Sequence, residues 1–412
     1  MNNEVILILM LVIVSADFAL ERVLSILNAK SGKKPIPKAL EGIYDEEKYQ
    51  KSQDYNQTVT RFGNITASLS FVITIAALYF GWFGLLDEWV RGFFSHEIII
   101  SLAFFGAIFV FSEITGTPFS YYKNFVIEEK FGFNKMTIKT FWMDKLKGLV
   151  ITVLIGGLLI VALLYLVQAM GEGFWVYFWV IITAFVLFMN VFYTSWILPL
   201  FNKLTPMEDG ELYQAIKGYS EKVNFPLSNI FVMDGSKRSS KGNAFFSGFG
   251  KRKKVVLFDT LIEKHTVDEL TAVFAHEVGH FKKKHIVFTT VVSILTTGLM
   301  LFLLSLMIDN LEVSLAMGGA VSAIHLNILA FGILFTPVSR VLGILSNLMS
   351  RKYEYKADRY ADETYSGKPL ITALKTMSSD HLTNLTPHPA YVFLNYSHPT
   401  LLQRMEALEG KG

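Results

Sequence analysis

The chain is 412 residues long, 52% hydrophobic and only 18% charged, with a formal net charge of +3 and a mean hydropathy of +0.40. A soluble domain carries roughly 25% charged residues, so this balance excludes an ordinary soluble enzyme and a disordered chain, and long unbroken apolar runs mark a polytopic membrane protein. The absence of cysteine removes disulfides, thiol catalysis and Cys-ligated metals, and the weak net charge without a basic arm argues against nucleic acid as a partner.

Seven stretches are long and apolar enough to cross a bilayer: roughly 5–27, 65–86, 98–119, 149–168, 174–198, 286–308 and 320–340. The first starts with an acidic residue, Glu4, and lacks a small-residue cleavage site, so it reads as a span and not as a signal peptide. Residues 1–4, 83–97, 169–173 and 309–319 together hold one of the 38 Lys and Arg residues, Arg91. The alternate connections hold nearly all the others, among them Lys30, Lys33, Lys34, Lys38, Lys123, Lys130, Lys135 and Lys139. Cytoplasmic loops retain basic residues, which places the N-terminus outside and the C-terminus inside. Residues 28–60 read as a polar cytoplasmic connection. Asp17 and Glu21 fall inside the first span, and Glu113 and Asn190 inside others. Ionisable groups at that depth must face water or protein, and solvating an interior space is the preferred role over a proton relay.

The expected division is therefore 1–198 (spans one to five), 199–285 (first part of a catalytic domain), 286–340 (spans six and seven) and 341–412 (second part), with both catalytic parts on the cytoplasmic side. In the first part, NIFVMD (229–234), NAFFSGF (243–249) and KVVLFD (254–259) are rich in Val, Ile and Phe and predict three short strands. A helix follows: Thr266 and Glu269 form a T-x-x-E capping box, and Leu270, Val273, Phe274 and Val278 recur at helical spacing.

That helix carries His276-Glu277-Val278-Gly279-His280. Positions i and i+4 share a helix face, so His276 and His280 can ligate one metal while Glu277 reaches a water beside it. Zinc suits two imidazoles, a carboxylate and an open position. A third histidine ligand ten residues after the first is excluded, because Ile286 stands there. His285, one residue out of register, reads as a snorkelling side chain at the membrane surface. The run Arg351 to Asp358 offers the alternative: Glu354 as third ligand, and Asp358 one turn later accepting the remaining N–H of a ligand histidine.

At this point the residues resemble a known family, the integral-membrane zinc endopeptidases called type 1 CAAX prenyl proteases. The likeness runs through Tyr49-x-Lys51-Ser52-x-x-Tyr55, Pro199-Leu200-Phe201-Asn202, Asp234-Gly235-Ser236-x-x-Ser239, Asn243-Ala244-Phe245-Phe246, HEVGH, Glu354-x-x-Ala357-Asp358 and Ser397-His398-Pro399-Thr400. The resemblance implies seven spans enclosing a chamber, with a zincin-like α+β domain closing its cytoplasmic end. It implies one zinc ion and cleavage near the C-terminus of prenylated CAAX sequences. It further implies that Asn243 and Ala244 hold an extended substrate by strand addition, that His398, and not His388 in a similar His-Pro, donates to the oxyanion, and that Arg404 contacts substrate. The expected partners are a peptide or protein, prenylated in this reading, and membrane lipid. Glu277→Gln is expected to keep the metal and lose turnover, and His280→Ala to lose both. The alternatives are a quality-control zinc protease indifferent to prenylation and, from another class, a transporter using Asp17, Glu21 and Glu113.

Overall fold

The computed structural model describes residues 2–247 and 253–410, and it is mainly helical with one small sheet. Among the described residues five helical stretches are long and apolar enough to span a bilayer: Asn3–Ser31, Glu46–Tyr79, Glu97–Glu128, Ile138–Phe201 and His285–Ser305. A sixth arises if Ile324–Leu334 and Thr336–Thr364, which meet at a 50° bend, count as one span. The stretch of 64 residues from Ile138 to Phe201 would be about 96 Å long if straight, three bilayer thicknesses. It is broken at Gly171, whose φ of 55° and ψ of −136° are open to glycine, and its arms Gly157–Met170 and Phe174–Phe192 pack on each other.

Helix ends differ from the predicted spans because hydropathy reports lipid depth, not helix length. The second helix starts at Glu46, capped by the Asp45 carboxylate, instead of near 65. Residues 28–60 are thus a packed element: Tyr44 donates to the carbonyls of Ser378 and Thr383, and Ser52 and Asn56 donate to that of Leu382. Likewise no break falls at 341, since Thr336–Thr364 runs unbroken from the membrane region into the expected catalytic part.

The intramembrane carboxylates are paired, not merely solvated. Arg340 bonds Asp17 at 2.6 Å and Glu21 at 2.5 Å, and Lys145 bonds Glu113 at 2.8 Å, while Asn190 donates to the Val186 carbonyl. Packing concentrates at the two ends of the helical region. One core, at the end away from the sheet, joins Ile6, Met10, Leu78, Phe104, Met317 and Leu326. Another, at the sheet end, joins Leu40, Tyr44, Ile127, Phe131 and Met405. In the most apolar window of each of the five spans only 11% to 17% of the residues are buried, while neighbouring spans still touch at mid-length, where Phe18 stacks on Phe71 and Trp179 donates to the Ile294 carbonyl.

The sheet has the order β1-β2-β4-β3, with β1 Leu204–Pro206, β2 Leu227–Met233, β3 Ala244–Ser247 and β4 Lys253–Phe258. β2 and β4 pair in parallel; β1 and β3 are antiparallel edges. The three expected strands are present, although Gly248 and Phe249 lie outside the described residues. β1 adds a fourth that the sequence hid, because Leu-Thr-Pro is short and its proline suits only an edge. Several motif residues serve this scaffold: Asn202 and Lys203 donate to the Asp234 carboxylate, and Arg238 holds Asp144 of the Ile138–Ile151 helix with two bonds of 2.8 and 2.9 Å.

Candidate metal centre

The helix Val267–Lys282 begins at the expected capping box, with Thr266 and Glu269 each bonding the other's backbone N–H. Leu270, Ala272, Phe274, Ala275 and Val278 bury its inner side, and Phe225, Phe246, Phe274 and Phe281 form an aromatic cluster that seats β3 against it. Its other close neighbour is Thr336–Thr364. A Cβ built on Gly279 would lie 3.0 Å from the Cα and the carbonyl oxygen of Ala357 and 3.1 Å from the Cβ of Tyr360. Because two of those atoms are backbone, no rotamer change relieves the clash. Gly279→Ala is expected to part the helices, to destabilise the protein by about 1–3 kcal/mol and to weaken metal binding, since Glu354 stands on the far helix. Thermal unfolding and zinc titration of the purified variant check this; wild-type values in both would mean that the contact is slack.

This close approach brings three donors together. His276 Nε2 and His280 Nε2 are 3.1 Å apart, His280 Nε2 is 3.2 Å from Glu354 Oε1, and His276 Nε2 is 3.5 Å from Glu354 Oε2. Donors of a tetrahedral ion with bonds near 2.0–2.1 Å lie about 3.3 Å apart. The three side chains therefore fit one small divalent metal, and they are the one group of three or more metal-binding side chains close enough to share an ion among the described residues.

Around them lies a second set of polar contacts. Asp358 accepts from His276 Nδ1 at 2.8 Å and takes two bonds from Arg404, at 2.8 and 2.5 Å. Arg404 is only 9% exposed and its Nη1 lies 3.6 Å from Glu354, so its guanidinium is engaged with carboxylates of the centre instead of being free for a substrate. His398 sits on the loop before the last helix, largely exposed, with Nε2 3.4 Å from Glu354 Oε1 and Nδ1 2.9 Å from Ser397 Oγ. His388 instead caps the helix Pro389–Asn395 by accepting from the Ala390 N–H. Asn243 is exposed immediately before β3, and Ala244 opens that strand; among the described residues β3 pairs only with β4 and lies at the edge of the sheet. Glu277 is half-buried and has no hydrogen-bond partner among the described residues.

His285 corrects the sequence expectation. It is not a snorkelling group: it is 4% exposed, its Nδ1 lies 3.1 Å from His280 Nδ1, and its ring stacks on Tyr353 at 4.1 Å. Arg351 was also missed. It reaches the carbonyls of Val392, Phe393 and Tyr396, and thereby fixes the end of the helix that leads into the His398 loop. Its place three residues before Glu354, on the same helix face, was the available signal.

The electrostatics are strongly coupled. Burial works against a charged Glu354, yet hydrogen bonds from His276 and His280 and the Arg404 charge hold it far below the ordinary carboxylate range. Asp358 is lowered against its own burial by His276 and Arg404. Desolvation pushes Glu277 upward. Burial opposes a charged His276, but its bonds to Asp358 and Glu354 prevail and raise it to about 9. The metal-free centre thus carries a proton on His276 at neutral pH, which an incoming metal must displace. Affinity for a divalent metal is expected to climb about tenfold per pH unit up to the raised value near 9 and then level off. Chelator competition across pH measures this, and a flat profile over that range would refute it.

Family models, curated proteins and a solved structure match the chain over most of its length. Residues 25–203 match the family model described as CAAX prenyl protease N-terminal, five membrane helices, and residues 206–411 match that of peptidase family M48. The chain is 34% identical over 388 residues to the CAAX prenyl protease 1 homolog of Arabidopsis thaliana, covering 91% of each chain. It is 34% identical over 400 residues to CAAX prenyl protease 1 of Saccharomyces cerevisiae, covering 91% of this chain and 88% of that one. The crystal structure of S. mikatae Ste24p superposes with a TM-score of 0.90 at 33% identity, covering 98% of both chains.

Proposed function

This chain belongs to peptidase family M48, among the CAAX prenyl protease 1 proteins, and from that premise we propose that it cleaves peptide bonds near the C-terminus of prenylated CAAX-type substrates with one zinc ion held by His276, His280 and Glu354. It is an integral, multi-pass membrane metalloendopeptidase. The observation that carries the reading is the set of three donors 3.1–3.5 Å apart, next to a glutamate without a hydrogen-bond partner among the described residues.

His276, His280 and Glu354 would hold the zinc ion, which would supply a Lewis acid to polarise the scissile carbonyl and acidify water. Glu277, desolvated and uncommitted, takes the water proton and later delivers it to the leaving amine. His398 donates from Nε2 to the oxyanion that develops on the carbonyl. Asp358 accepts from His276 Nδ1, leaving Nε2 free as a donor to the ion, and Arg404 holds Asp358 in place, acting as a positioning residue. The edge strand β3, entered through Asn243 and Ala244, aligns the substrate backbone as an added strand.

In the same reading the chain crosses the membrane seven times, the broken Ile138–Phe201 stretch making two passes and the bent pair one. As the family likeness implies, the spans enclose a chamber that admits the lipid-modified end of the substrate. The basic connections put the metal centre on the cytoplasmic side. The test is to time cleavage of two matched fluorogenic peptides, one farnesylated and one bare, by detergent-purified protein, with Glu277→Gln and a chelator as controls. Cleavage of the farnesylated peptide alone, abolished by both controls, is the expected result; equal cleavage of both peptides would overturn the prenyl requirement in favour of a quality-control protease.

A further inference from the structure

The two ligand histidines are backed by different groups. His276 has a carboxylate behind its Nδ1, as metal-ligating histidines generally do. His280 has another imidazole, His285, with Nδ1 facing Nδ1 at 3.1 Å. Two neutral imidazoles in that arrangement share one proton, so one Nδ1 donates and the other accepts.

Which way the proton must lie once a metal is bound follows from the centre itself. His280 Nε2 faces His276 Nε2 and Glu354 and is the atom offered to a metal. A neutral imidazole that gives up Nε2 as a lone pair must carry its proton on Nδ1. His280 is then the donor and His285 Nδ1 the acceptor. The opposite tautomer carries the proton on His280 Nε2, where it bonds Glu354 in the metal-free centre, and it must give way before a metal can bind. Building on the zinc site above, we propose that His285 is a positioning residue for the metal centre: it selects the metal-competent tautomer of His280 by accepting its Nδ1–H, and it fixes the ring's orientation.

The surrounding fold is arranged to hold it there. Lys284 adopts a left-handed backbone, φ 57°, so the chain turns sharply between the two helices and the first residue of the next one, His285, lies back over His280. Its ring stacks on Tyr353 with planes 12° apart, and Tyr353 precedes Glu354 on the facing helix. One imidazole therefore ties a histidine ligand to the strand of helix that supplies the carboxylate ligand. His285 Nε2 is buried with no partner among the described residues, which leaves the contact with His280 as the ring's hydrogen bond.

Two substitutions separate this role from packing. His285→Phe keeps the ring and its stack on Tyr353 but has no acceptor; His285→Asn loses the stack but places an amide oxygen near the former Nδ1. Zinc affinity of the metal-stripped, detergent-purified full chain is measured by chelator competition, with the melting temperature of the metal-free protein as the structural readout. His285→Phe is expected to lower zinc affinity about 10–100-fold while the metal-free protein melts near the wild-type temperature, and His285→Asn is expected to recover most of the affinity. Wild-type affinity in His285→Phe, or equal loss in both variants, would overturn the inference while the zinc site stands. Failure of the wild-type chain to bind zinc at all would overturn both.

Discussion

Glu277→Gln is expected to retain a full complement of zinc and to lose about 10²–10⁴-fold in kcat, the usual contribution of a positioned acid–base group. Glutamine preserves the size of the side chain and its place on the helix between His276 and His280, but it cannot take a proton. The three donors and their backing groups, Asp358 and His285, are untouched, so metal content measured on the purified variant should match wild type. His280→Ala is the contrasting case: one of three donors is gone and metal and activity should fall together. Burial raises Glu277, so its ionised form accumulates at higher pH than for a free glutamate, and the acidic limb of the wild-type rate profile should lie correspondingly high. That limb should disappear from the residual activity of Glu277→Gln. Undiminished turnover in this variant would remove Glu277 from the role of base.

The chemistry of the centre was more legible in the sequence than its supports. HEVGH and Glu354-x-x-x-Asp358 could be read as one cluster because both are local: helical spacing alone puts each pair on one face, and the Thr266/Glu269 box marks where the first helix begins. His285 was misread because its partner depends on the turn at Lys284, a backbone conformation that a lysine does not announce. The pairing of Arg340 with Asp17 and Glu21 joins residues more than 300 positions apart, and no periodicity encodes it. Hydropathy located the spans but not the helix ends, since Glu46–Tyr79 and Thr336–Thr364 continue as polar helices into the sheet-bearing part. The latter continuity matters for the proposed function, because it places Glu354 and Asp358 on an extension of a membrane helix.

Arg404 also changes meaning between sequence and structure, and its replacement is the second large effect expected. The resemblance assigned it to substrate, whereas its guanidinium is buried against Asp358 and within 3.6 Å of Glu354. Arg404→Met keeps most of the packing volume and removes the charge. Asp358 and Glu354, both held ionised partly by that charge, are then left buried with imidazoles alone for compensation. Breaking a buried pair in this way destabilises by about 3–5 kcal/mol, so the metal-free variant should melt well below wild type. Asp358→Asn removes the other partner. If the two groups act on each other, the double variant will be less destabilised than the sum of the single ones, the shortfall giving the coupling energy of a contacting pair. A substrate contact predicts a different pattern: an unchanged melting temperature, normal zinc affinity and a raised KM with kcat preserved. The two patterns share no readout, so thermal unfolding, zinc affinity and steady-state kinetics on these three variants decide whether Arg404 holds the centre together or holds the peptide.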